Sequence, residues 1–60
     1  MDDINEWAST CEALHKNNAG YYAAKQAELM MQRNDPEAAA FWTKVSIEVE
    51  QRKALAQKSH

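Results

Sequence analysis

Glycine and proline occur once each in these 60 residues, and no other feature constrains the fold so tightly. Gly20 closes the stretch Asn17-Asn18-Ala19-Gly20, and Pro36 sits inside Asn34-Asp35-Pro36-Glu37. Both stretches carry loop and cap chemistry. The segments between them are rich in Ala, Glu, Gln, Lys and Met, which favour helix. Runs of β-branched residues, the mark of strands, are absent. The expected fold class is therefore all-α: three helices over about 3–16, 19–33 and 36–57, forming one helical domain over 1–60. The third is the longest and folds back on the second as an antiparallel hairpin, completed by dimerisation.

Local signals set the boundaries. Asp3 and Glu6 stand at capping-box spacing at the head of the first helix. Ile4, Trp7, Ala8, Cys11 and Leu14 then recur on one face. Asn at position 17 suits the left-handed conformation that ends a helix. In the second helix Ala19, Ala23, Ala27 and Met30 form the central stripe, with Tyr22 and Leu29 on one side and Met31 on the other. The small Ala23 and Ala27 leave room for bulky neighbours, and Trp7 and Trp42 are the candidates to fill it. Asp35 is a favoured N-cap, and Pro36 follows at the first helical position, where a missing N–H costs nothing.

The third helix carries a heptad seam of Ala38, Trp42, Val45, Val49, Arg52 and Ala56, broadened by Phe41. At 1.5 Å per residue it spans about 33 Å against about 22 Å for the second, so its last turns project beyond an antiparallel partner, with Arg52 in the overhang. A second stripe of Ala40, Ile47 and Ala54, with Leu55 beside it, lies nearly opposite the seam. A hairpin cannot bury both. The expected core is Ile4, Trp7, Cys11, Leu14, Tyr22, Ala23, Ala27, Met30, Phe41, Trp42, Val45 and Val49. The expected interface is Ala40, Ile47, Arg52, Ala54 and Leu55. Tyr21, off the central stripe, is a further partner-facing candidate.

Size makes a partner plausible. A domain this short buries only about 60% of the surface its unfolded chain exposes. Small scaffolds usually need a staple. Cys11 is the lone cysteine, so no intrachain disulfide forms. His15 and His60 are far apart and show no zinc-site spacing. Self-association is the remaining staple.

Other functions find little support. Seven basic against nine acidic residues give a net charge of −2, which lacks the basic face of a phosphate-backbone binder. Residues 1–16 carry Asp2, Asp3, Glu6 and Glu12 against Lys16, and the last nine carry Arg52, Lys53 and Lys58 and no acid, which matches helix dipoles. No apolar run approaches the roughly 20 residues that span a bilayer. The N-terminal residues do not resemble a signal peptide, so a cytoplasmic location is expected. Cys11 and His15 are an i, i+4 pair that in principle activates a thiolate. Cys11 lies on the apolar stripe, however, where a free cysteine acts as a small hydrophobe. Glu48 and Glu50 do not share a helix face. No glycine-rich phosphate loop exists, and a chain this small has little room for a ligand pocket. Neither cofactor nor metal is expected, and no enzyme activity. A helix-turn-helix-like DNA-binding protein is an alternative, but the third helix begins with Ala38, Ala39, Ala40, Phe41 and Trp42 rather than base-reading side chains.

Residues 27–47 resemble a single tetratricopeptide-type helical hairpin. The shared features are the Asn34-Asp35 turn, the small Ala39 four residues after Asp35, and the small-then-aliphatic pair Ser46-Ile47. The resemblance implies protein–protein interaction and assigns no site residue. The expected function is thus a small, non-catalytic interaction or regulatory module, self-associating through its third helix. A phage or mobile-element accessory regulator that binds a host protein is an alternative.

Overall fold

In a computed structural model the chain is described over residues 3–58. Helix α1 covers Asp3–His15, α2 Ala19–Gln32 and α3 Pro36–Lys58. No strand occurs among the described residues. His60 and Asp2 lie outside them.

The three separate helices expected from the sequence are corrected to two unbroken helical runs, 3–32 and 36–58. A 3-10 turn over Lys16–Asn18 joins α1 to α2 without a loop. The bend comes from Lys16, whose φ of 50° is left-handed. That conformation costs about 1–2 kcal/mol for a residue with a Cβ. It falls one residue before the asparagine expected to adopt it.

The second break is a complete helix stop followed by a helix start. Asn34 takes the left-handed conformation (φ 59°). Its N–H donates to the Met31 carbonyl at 3.1 Å, and the Asp35 N–H donates to the Met30 carbonyl at 2.9 Å. These two bonds satisfy carbonyls that the end of α2 leaves open, the pattern of a Schellman motif. Asp35 then caps α3, its Oδ1 accepting from the Ala38 N–H at 3.2 Å. One short segment thus closes one helix and opens the next.

Helices α2 and α3 pack as the hairpin, and α1 lies across α3. The crossing follows from which residues meet. Asn5, Ser9 and Glu12 of α1 all converge on Arg52. Trp7, on another side of α1, meets Phe41 and Trp42. Positions 42 and 52 are about 15 Å apart along α3, so α1 spans that distance with its width rather than its length. The buried core at this junction is Ala8, Cys11, Ala19, Ala23, Val45 and Val49. Ile4, Tyr22, Phe41 and Trp42 pack around it, partly buried. Trp42 joins all three helices, with ring centroids 5.5 Å from Trp7, 5.7 Å from Phe41 and 6.0 Å from Tyr22, each edge to face. Such pairs add about 0.5–1.5 kcal/mol each beyond their buried area.

Gly20 lies where α2 meets α3. Its carbonyl accepts a hydrogen bond from Ser46 Oγ at 3.3 Å. The Glu50 carboxylate rests where a Cβ on residue 20 would stand.

Candidate interaction surface

The two stripes of α3 have opposite fates. In the seam Val45 and Val49 are buried, Ala38, Trp42 and Arg52 are half-buried, and Ala56 is exposed. On the outer stripe Ala40 and Ala54 are exposed, and Ile47 is 52% exposed. Leu55 is exposed as well. Every residue from Lys53 to Gln57 is exposed, so α3 projects beyond the crossing helix.

Arg52 sits beneath α1 rather than in the overhang. Its Nε donates to Glu48 Oε2 at 2.9 Å. One terminal nitrogen donates to Ser9 Oγ at 2.9 Å, and the other to Asn5 Oδ1 at 3.0 Å and the Asn5 carbonyl at 3.2 Å. Glu12 Oε1 stands 3.7 Å away. That oxygen is shielded from solvent and accepts no hydrogen bond, so charge alone ties it to the guanidinium. The planar fork of Arg suits such multiple acceptance. Arg52 is therefore a latch between α1 and α3, bound within its own chain. Asn5 and Ser9 were missed as its partners. The available signal was their spacing with Glu12, which puts three polar groups on one side of the first helix.

The core is smaller in kind than expected. Its buried apolar residues are Ala8, Cys11, Ala19, Ala23, Ala39, Val45 and Val49, none larger than valine. Leu14, expected inside, is 72% exposed, standing about 120° around α1 from the buried Ala8, at the edge of the apolar face. Trp7 is 45% exposed, and Ala27 and Met30 are half-buried. Ala39 was missed as a core residue. Tyr21 and Met31 also stand at the surface. Small side chains thus fill the centre, the half-buried Ile4, Tyr22, Phe41 and Trp42 ring it, and Leu14, Tyr21, Met31, Ile47 and Leu55 stand at the surface.

Burial pushes the Cys11 thiol above its ordinary pKa, and the nearby Glu12 carboxylate adds to the shift. The thiol is therefore held protonated at neutral pH. The His15 ring stacks on Tyr22, with centroids 4.0 Å apart and planes 18° apart. No group of three His, Cys, Asp or Glu residues gathers to hold a metal ion among the described residues. No helix there is long and apolar enough to cross a membrane. An open groove of about 300 Å³ runs between the α1–α2 bend and the end of α3. Its lining mixes Lys16, Arg52 and Lys53 with Glu12 and Glu50, so neither sign of charge dominates.

Comparison with known proteins finds no matching family model and no match among curated proteins or solved structures.

Proposed function

We propose that the chain is a small, non-catalytic helical interaction module that self-associates through the outer face of α3. The observation that carries this reading is the apolar outer stripe of α3, which no part of the hairpin covers. Among the described residues no fully buried side chain exceeds valine, while Ile47 stands half-exposed at the centre of a stripe flanked by exposed Ala40 and Ala54. Burying apolar surface is worth about 25 cal/mol per Å². The centre of alanines and valines, ringed by half-buried aromatics, leaves the outer stripe uncovered, and a second chain laid on it adds apolar burial. Arg52 is left out of the interface because its donors are already engaged by α1 and Glu48.

Sedimentation over a range of protein concentrations tests the proposal. The native chain is expected to dimerise as concentration rises. Ile47→Glu is expected to stay monomeric with unchanged helix content, since residue 47 does not support the core. A native chain that remains monomeric at its highest soluble concentration refutes it, as does an Ile47→Glu chain that dimerises equally well.

A further inference from the structure

The two breaks between the helices are built differently. At the second, Asn34 is a residue type that visits the left-handed region readily, and Asp35 caps α3 through its side chain. Pro36 follows, and its ring and missing N–H bar a straight helix through this point. At the first break the left-handed residue is Lys16, which has no such tolerance. Asn18, at the head of α2, makes no side-chain cap bond. Neither proline nor glycine falls within Lys16–Asn18, and lysine favours helix. Contacts outside the joint hold this bend. The His15 and Tyr22 rings stack at 4.0 Å although they stand seven residues apart, a separation of about 10 Å along a straight helix. Arg52 and the aromatic rings keep α1 on α3.

We infer that the α1–α2 joint is an exchange hinge: turning Lys16 right-handed makes residues 3–32 one straight helix, and that helix delivers α1 to the α3 of a second copy. The turn relieves Lys16 and pairs backbone groups that two abutting helix ends leave open. The hairpin register shows why α1 then cannot return to its own α3. Ser46 meets Gly20, so a straight continuation of α2 brings Trp7 about level with the end of α3. Trp42 is then about 24 Å away along the axis. Within its own chain Trp7 loses Phe41 and Trp42, and Val45 and Val49 lose Ala8 and Cys11 from their cluster. A second copy is the occupant because its α3 already carries the surface that takes α1: the Arg52 fork for Asn5 and Ser9, and the Phe41 and Trp42 rings for Trp7. Two straight copies related by a twofold axis exchange α1 both ways, so the α1–α3 contacts reform between chains. A short, strained joint invites such an exchange. It uses neither Ile47 nor the rest of the outer stripe.

Sedimentation in an Ile47→Glu background tests the exchange, because that substitution removes association through the outer stripe and keeps the two readings apart. Asn17→Ala with Asn18→Ala favours a straight helix through the joint in both chains, and is expected to tighten dimerisation about tenfold. Lys16→Gly, added to this pair, accepts the left-handed conformation without strain and weakens the straight helix. It is expected to weaken dimerisation about hundredfold. Refolding a concentrated mixture of isotope-labelled and unlabelled chains that carry the alanine pair reads the exchange itself. Isotope-filtered nuclear Overhauser spectra of that dimer are expected to show the Trp7 and Trp42 rings in contact between chains. A dimer in which these rings touch only within one chain would overturn the inference. An alanine-pair chain that stays monomeric at every concentration overturns it as well, as does a dimer that Lys16→Gly leaves unweakened. An Ile47→Glu chain that dimerises with its native joint counts against the outer stripe alone. The same ring contacts in that dimer, between chains or only within them, then support or overturn the exchange.

Discussion

Replacing Arg52 by alanine removes the polar tie between α1 and the hairpin, and the size of the loss follows from the contacts. Three hydrogen bonds reach α1: to Ser9 Oγ, Asn5 Oδ1 and the Asn5 carbonyl. All three lie in exposed surroundings, where water re-satisfies the freed groups. The low end of the usual range therefore applies, about 0.5 kcal/mol each. The Glu48 contact is an i, i+4 pair worth about 0.3–0.5 kcal/mol. The expected total is about 2 kcal/mol. For a 60-residue domain with about 3–9 kcal/mol of stability this is a large share. Urea unfolding followed by tryptophan fluorescence reads it directly, because Trp7 and Trp42 meet across the α1–α3 junction. Protein concentration must be held constant, since association also shifts apparent stability. Arg52→Lys keeps a charge near Glu48 but loses the fork, and is expected to recover less than half the loss. A cycle combining Arg52→Ala with Ser9→Ala is expected to show coupling of about 0.5 kcal/mol. An Arg52→Ala loss below about 0.5 kcal/mol, the scatter of ordinary surface substitutions, would refute the latch.

Asp35→Ala removes the cap of α3 and is expected to cost about 1 kcal/mol, measured by thermal unfolding. Gly20→Ala is expected to stabilise by about 0.5 kcal/mol. Gly20 lies within α2 at a negative φ, and the Glu50 carboxylate that meets the new methyl can swing aside; destabilisation would show that Glu50 is fixed in place. The Cys11 thiol is raised in the folded chain, so between its unfolded and folded pKa the folded state holds more protons. Its contribution is complete below the unfolded value, about 9.0, and is lost as pH rises through the folded one. Unfolding free energy is therefore expected to fall as pH rises above that value, and Cys11→Ala is expected to remove this thiol's part of the slope.

Much of the local structure was legible in the sequence because its causes are local. Asp35, Pro36 and the adjacent Asn34 specify a helix stop and start through their own backbone and side-chain chemistry, and α3 begins at Pro36 as they require. The seam at Val45 and Val49 reads as buried because a period of three to four residues puts it on one face. Arrangement between helices was not legible in this way. Periodicity says that α1 has an apolar face, but not the angle at which that face meets α3. Ala8 and Cys11 are buried while Leu14, at the edge of the same stripe, is left in solvent. The crossing carries Asn5 and Ser9 over Arg52, turning a residue that looked free at the end of the third helix into an internal latch. Likewise the sequence placed a break between α1 and α2, but the left-handed Lys16 made it a bend in a continuous run. Short-range chemistry therefore determined where each helix begins and ends and which faces are apolar. Tertiary packing alone decided which apolar face is covered, because covering depends on the position of a second helix, and no single helix encodes it.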